Sequence, residues 1–315
     1  MEESKFPLPN VFIVGAPKAG TTTINSILAQ HPAFYMSDIK EPGFFCTDLI
    51  EESDAFHGRG DKFFKFRTKD QYLSLFSASE DHVYRGEASS KYLFSKAAAN
   101  NIHAFNPSAK IIILIREPID FLRSYHAQCL IDLVENDASF ASAIGKEDER
   151  RAGNSIPRTC VVPSYLLYTE LATFSHQIKR YLDAFPKENV KVLLYDDLRE
   201  KENALLVELE FFLSLKAGSL APVGVQNKGR SIQYPSLYTS MKRLSKSNVV
   251  QQWTKRIPKA QKRAIAKAFL GVNFGPKSHE PMSDELLARL RQHFNPEVTA
   301  LSELLGKDLH QRWGY

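Results

Sequence analysis

A run of apolar and small residues at 11–16 stops at Pro17. The chain continues as Pro17-Lys18-Ala19-Gly20-Thr21-Thr22-Thr23, and then places Ile24, Ile27 and Leu28 on one helical face. A short apolar run without alternation is a strand buried on both faces. Such a strand needs helices above and below it, so strand, glycine-bearing loop and helix in direct succession leave few architectures open. Three further apolar runs, 83–88, 110–116 and 190–195, alternate with helical stretches at about 95–104, 118–130, 164–184 and 198–213. Asn106-Pro107 ends one helix, and Pro118 suits the start of the next. The alternation predicts an α/β fold in three layers, a central parallel sheet flanked by helices.

With 315 residues, 43% of them hydrophobic, the chain can bury one core of this kind. A single domain over 1–315 is expected, with its core at about 8–215. Residues of about 216–315 add a covering loop and a helical C-terminal extension that ends in the stretch 285–305. Residues 137–163 are polar and charged and read as a long loop or mobile cover, and 217–235 as a second loop. A net charge of +5 is too weak and too diffuse to argue for a nucleic-acid partner, but it is compatible with a local anion pocket. Cys46, Cys129 and Cys160 lie far apart without metal-ligand spacing, which predicts free thiols in a reducing compartment. The first ten residues lack the apolar stretch of a leader, and the longest apolar run, 111–115, is far short of a span of roughly 20 residues. A cytoplasmic protein without a membrane span is the expectation.

The loop at 15–23 carries chemistry. A helix N-terminus offers free backbone N–H groups and the positive end of the helix dipole. Lys18 adds a point charge, Thr21, Thr22 and Thr23 add hydroxyls, and Gly20 lets the backbone approach an oxyanion closely. A nucleoside triphosphatase loop would place Gly-Lys-Ser/Thr at its end; here the lysine comes two residues before the glycine. The run 111–115 leads into Arg116 instead of a Mg²⁺-holding aspartate. The loop is therefore suited to phosphate and sulfate oxygens without a metal, with a metal-dependent P-loop kinase or hydrolase as the alternative.

Pro17-Lys18-Ala19-Gly20-Thr21-Thr22-Thr23 after an apolar strand resembles the 5'-phosphosulfate loop of sulfotransferases that use 3'-phosphoadenosine 5'-phosphosulfate (PAPS). The resemblance implies a P-loop-like fold and sulfuryl transfer from PAPS. That family has a second signature, a strand ending in Arg, then Pro, with Ser eight residues after the Arg. Arg116, Pro118 and Ser124 match it. Arg116 leaves the C-terminal end of a strand, where ligands of open α/β sheets gather, and a guanidinium fork suits phosphate. By resemblance this pair holds the 3'-phosphate. Lys228-Gly229-Arg230 resembles the late loop with which heparan-type enzymes wrap the nucleotide.

Those enzymes also carry Glu, two further residues and Phe-Phe, with the Glu as base. Glu41, in Lys40-Glu41-Pro42-Gly43-Phe44-Phe45, falls on that position, and Lys18 would stabilise charge on the leaving phosphate. Cytosolic small-molecule members use a histidine, which leaves His126 and His31 as alternatives. On their own context, His31 reads as a helix stop before Pro32 and His126 as a packing residue. Glu87, after Arg85-Gly86, resembles the mid-domain strand of the same group. Three departures bear on the acceptor: Ala88 stands where heparan-type members have lysine, Gly43 stands where they have a polar ring or amide, and their late paired cysteines are missing. Lys91 is the nearby cation that could stand in. The stretch 56–71 mixes cations with Phe63, Phe64 and Phe66, a pattern that fits either a sugar-facing surface or an amphipathic segment with buried rings. The expected acceptor is a hydroxyl or amine of a saccharide, glycolipid or small molecule. A silent protein that binds PAPS or its bisphosphate product is a further alternative.

Overall fold

The computed structural model describes residues 6–58, 63–223, 230–232, 274–276 and 282–315. Its core is one all-parallel sheet of five strands, β1 (Val11–Gly15), β2 (Phe34–Met36), β3 (Tyr84–Ala88), β4 (Lys110–Ile115) and β5 (Val190–Leu194), in spatial order β2-β3-β1-β4-β5. The two most apolar runs take the centre. Val11 to Val14 and Ile111 to Ile115 have no exposed surface, and Ile13 lies opposite Ile112. Strand β2 escapes the sequence reading because it has three residues and no pattern of its own; β3 supplies its register, Phe34 against Tyr84.

Helices connect the strands. They are α1 (Thr21–Ala29), α2 (Thr47–His57), α3 (Lys69–Leu73), α4 (Lys91–Phe94), α5 (Ala98–Phe105) and α6 (Pro118–Asp132) in the first half. The second half adds α7 (Phe140–Gly145), α8 (Glu147–Arg151), α9 (Tyr168–Leu171), α10 (Phe174–Ala184), α11 (Tyr195–Glu200) and α12 (Glu202–Phe212). A two-stranded antiparallel ribbon, β6 (Arg230–Ile232) and β7 (Phe274–Pro276), precedes the C-terminal helices α13 (Asp284–Leu305) and α14 (Leu309–Trp313). As its spacing predicts, α1 buries Ile24, Ile27 and Leu28. The expected C-terminal extension is present in α13, which packs on α10: the Glu297 carboxylate accepts from the Ser175 backbone N–H and hydroxyl, each at 2.7 Å.

The chain's end locks onto the C-terminal edge of the sheet. Arg312 pairs with Asp197 at 2.7 Å, the Trp313 indole donates to Asp196 at 2.8 Å, and the Tyr315 hydroxyl donates to Glu117 at 2.7 Å. Asp196 and Asp197 follow β5, and Glu117 caps α6. Helices α14 and α6 are thereby held around the mouth where β4 and β5 stop.

Three expectations are corrected. Residues 137–163 are not a bare loop. They contain α7 and α8, and Arg150 among their charges pairs inward. Glu135 and Arg150 form a fully buried ion pair at 2.7 Å, and the Tyr168 hydroxyl donates to the same carboxylate at 2.9 Å. The helix expected over 164–184 is instead a 3-10 turn (Pro163–Leu166), then α9, then α10. Distant carboxylates take the backbone donors at the breaks: Glu52 accepts from Ser164 N–H and Glu147 from Thr169 N–H. Similarly, the helix expected over 198–213 divides at Lys201 into α11 and α12. Polar side chains that look solvated in the text compete with helix continuation once a tertiary partner is in reach.

Removing one member of a buried pair leaves a charge without compensation. Arg150→Met is expected to lower stability by about 3–5 kcal/mol in urea unfolding, whereas replacing Glu135 and Arg150 together with apolar residues should recover most of that loss.

Candidate active site

The predicted phosphate loop lies between β1 and α1. Helix α1 starts without a side-chain cap and without an acid in its first turn, so the positive end of its dipole is uncovered. Gly20 has φ +97°, and a Cβ there would come within 2.5 Å of Leu198 Cδ2. Both the backbone conformation and the space call for glycine. Lys18 is also left-handed, at φ +62°. Its half-buried ammonium donates to Gln128 Oε1 on α6 at 3.1 Å. Burial pushes the Lys18 ammonium below the ordinary lysine value; the Arg116 charge pushes the same way, while Asp132 opposes.

Arg116 follows β4 directly and is 5% exposed. Its guanidinium lies over the Tyr195 ring at 4.7 Å and pairs with Asp120 at 2.7 Å, while its buried Nε has no hydrogen-bond partner. Glu117 caps α6 through the backbone N–H groups of Ile119 and Asp120, at 3.0 and 2.5 Å. From that fixed start the helix carries Ser124, which is buried, and one turn later Gln128, the partner of Lys18. Helix α6 thus carries Ser124 and Gln128 past the ends of β1 and β4, and Gln128 meets Lys18 there. An unpartnered guanidinium nitrogen beside a dipole-bearing, uncapped helix start suits a doubly anionic ligand.

Glu41 reaches the same mouth from the other side. After β2 the chain runs on beside β3, with Ser37 N–H to Gly86 O at 2.8 Å and Glu41 N–H to Ala88 O at 2.9 Å. Glu41 has φ +56°, a strained conformation for a residue with a side chain. Its Oε1 accepts from the Ser90 N–H at 3.1 Å and the Ser90 hydroxyl at 2.7 Å. Its Oε2 has no hydrogen-bond partner and lies 3.9 Å from the Lys91 ammonium, which also sits over the Phe64 ring. Next to it, Lys40 donates to Thr22 Oγ1 of the phosphate loop at 2.6 Å. Burial holds the Lys40 ammonium below its usual value, with Glu41 opposing.

The structure therefore brings Pro17 to Thr23, Arg116, Ser124 and Glu41 around one mouth. Lys228 and Gly229 lie outside the described residues, and Arg230 begins β6. The two histidines follow their structural readings. His31 Nδ1 accepts from the Ala33 N–H at 3.1 Å, and the His126 ring is buried against Asp137 O at 2.9 Å. Burial pushes the His126 imidazole below its usual value. Sequence reasoning passed over Lys40, Ser90 and Gln128. The signals were present, since Lys40 adjoins Glu41 and Gln128 is one helical turn from Ser124.

The sulfotransferase domain family model matches residues 8–302. The chain belongs to the sulfotransferase family. Curated relatives include the bifunctional heparan sulfate N-deacetylase/N-sulfotransferase 1 of Caenorhabditis briggsae, 23% identical over 68% of this chain and 24% of that protein. Carbohydrate sulfotransferase 15 of Mus musculus is 28% identical over 37% of this chain and 26% of its own length. The matches thus span about a quarter of those relatives. Among solved structures, a sulfotransferase from Alicyclobacillus acidocaldarius shares the fold, with a TM-score of 0.69 at 24% identity over 98% of this chain and 100% of that one. Among the described residues, no helix is long and apolar enough to cross a membrane.

Glu87, beneath this site on β3, is wholly buried, and burial raises its carboxyl to about 7 from an ordinary 4.5. Between those values the folded chain holds a proton that the unfolded chain releases, so this group's contribution to stability falls as pH rises from about 4.5 to 7. Glu87→Gln should flatten that part of the profile, measured as urea midpoints across pH 4.5–7.5 for both proteins.

Proposed function

We propose that this chain transfers a sulfuryl group from PAPS to a hydroxyl or amine of an acceptor, a saccharide or glycolipid being the first expectation. The observation that carries the reading is the meeting of two anion-suited sites with a carboxylate facing them. One site is the uncapped start of α1 with Lys18, the other is buried Arg116 with Ser124, and the carboxylate is Glu41. The names of the curated relatives favour a carbohydrate acceptor.

In this reading Pro17, Lys18, Ala19, Gly20, Thr21, Thr22 and Thr23 receive the 5'-phosphosulfate, and Arg116 and Ser124 the 3'-phosphate. Residues 228–230 would close over the nucleotide. Glu41 Oε2, free of hydrogen bonds, takes the acceptor's proton as its oxygen or nitrogen bonds to sulfur. The S–O bond to the phosphate breaks on the opposite side. Lys18 and Lys40 stabilise the negative charge left on that phosphate oxygen. Positioning and charge stabilisation carry such in-line transfers, and the two lysines supply the charge, so the reading calls on no metal. A lysine held below its usual pKa by burial gains most when an anion arrives, because the anion restores what desolvation took away.

Titration calorimetry without Mg²⁺ tests the donor site. 3',5'-Adenosine bisphosphate should bind in clear preference to ATP, and Arg116→Ala should weaken it about 10- to 100-fold, the loss of one charged hydrogen-bonding group. Binding of ATP alone, and only with Mg²⁺, would overturn the reading. Release of the bisphosphate from PAPS with a panel of saccharides and glycolipids tests the chemistry. Lys18→Ala should abolish it, and Glu41→Gln should lower kcat by about 10²–10⁴-fold with bisphosphate affinity unchanged. Tight bisphosphate binding with no turnover on any acceptor would instead identify a silent binding protein.

A further inference from the structure

Beneath the proposed base lies a carboxylate that no step of the reaction uses. Glu87 stands in the middle of the sheet, opposite Phe12 of β1, with 1% of its surface exposed. Three hydroxyls donate to it: Tyr92 to Oε1 at 2.7 Å, Tyr72 to Oε1 at 3.2 Å and Ser89 to Oε2 at 2.8 Å. A hydroxyl has a single proton. Once that proton is given to Glu87, the oxygen faces every other neighbour as an acceptor.

Two of these oxygens accept from the backbone that carries Glu41. Ser89 Oγ accepts from the Gly43 N–H at 3.2 Å, and the Tyr92 oxygen accepts from the Phe45 N–H at 3.4 Å. The third hydroxyl's ring, Tyr72, stacks under Phe44 with centroids 4.7 Å apart and planes 10° from parallel. The segment needs this support. Glu41 and Gly43 both have positive φ, at +56° and +67°, so no helix or strand ladder holds the turn between them. An apolar residue in place of Glu87 could fill the same space without the cost of burying a polar group. What the carboxylate supplies is the direction in which Ser89 and Tyr92 point their lone pairs.

We propose that Glu87 is the positioning residue of the base: by orienting the hydroxyls of Ser89 and Tyr92 as acceptors, it fixes residues 41–45 and thereby the aim of the Glu41 carboxylate. The proposal rests on the reading of Glu41 as base. Above pH 7, where Glu87 is ionised and accepts through both oxygens, Glu87→Gln keeps the shape but puts an NH₂ where one carboxylate oxygen was, so at least one hydroxyl must turn and the cycle is measured there. Tyr92→Phe keeps the ring and removes the acceptor of the Phe45 N–H.

The test is a double-mutant cycle on the full chain, comparing Glu87→Gln, Glu41→Gln and the double variant. The readouts are bisphosphate release from PAPS, with water or the saccharide panel as acceptor, and calorimetric affinity for 3',5'-adenosine bisphosphate. Glu87→Gln should lower kcat about 10- to 100-fold, as expected when a catalytic group is misplaced by a fraction of an ångström to an ångström. Bisphosphate affinity should stay within about twofold, because Glu87 lies on the acceptor side. In the Glu41→Gln background Glu87→Gln should cost nothing further. Tyr92→Phe should shift kcat in the same direction by a smaller factor, and it carries the test if Glu87→Gln fails to fold. Losses that multiply across the cycle while Glu41→Gln is itself slow would overturn this proposal alone. A Glu41→Gln variant at full rate would overturn the base assignment and this proposal with it.

Discussion

Two cations share one sheltered corner at the ends of β1 and β4. Burial disfavours the Lys18 charge most, and the nearby Arg116 guanidinium pushes the same way while Asp132 opposes. Nothing local to either residue would keep them together. What does is the pairing of two wholly buried strands whose register is set by side chains packed on both faces. The core carries the cost of burying the Lys18 ammonium at this corner. Much of the remaining architecture serves this corner. Gly20 packs against Leu198, Glu117 caps α6, and Tyr315 secures Glu117 from the far end of the chain.

Glu41 is held differently. Lys18, Arg116 and Ser124 stand at strand ends and on a long helix, whereas Glu41 rides on a turn in an unfavourable backbone conformation. Its support is a set of hydrogen bonds contributed by β3 and the residues just after it: Ala88, Ser89, Ser90 and Tyr92. Lys91 extends the same set toward Glu41 and Phe64. The Lys40 ammonium donates to Thr22 Oγ1, which ties the turn bearing Glu41 to the loop at 15–23. Such a division leaves Arg116 and Ser124 on rigid elements and Glu41 on a loop.

Buried polar pairs recur through the molecule, and they mark where reading from the text fails. Glu135 with Arg150, Glu297 with Ser175, and Glu87 with its three hydroxyls all sit below the surface. In the sequence each is an ordinary charged or polar residue at a position that would suit solvent. Residues 137–163 read as a loop for that reason, because their charges signal water unless the partner is known. Strand β2 was invisible for the complementary reason that three residues carry no periodicity.

The alternation of strands and helices, the loop at 15–23 and the Arg116 to Ser124 spacing are legible in the amino-acid order alone. These are local properties: an apolar run must be covered, a glycine permits the left-handed backbone that other residues avoid, and eight residues from a strand end into a helix span a known distance. What those residues meet follows from how the elements pack. The tertiary structure seats Gln128 beside Lys18, Lys40 beside Thr22 and Ser90 beneath Glu41, contacts between residues 18 to 110 positions apart. Hydrogen bonds and ion pairs are short-ranged and directional, so they depend on how elements pack, and packing belongs to the whole fold.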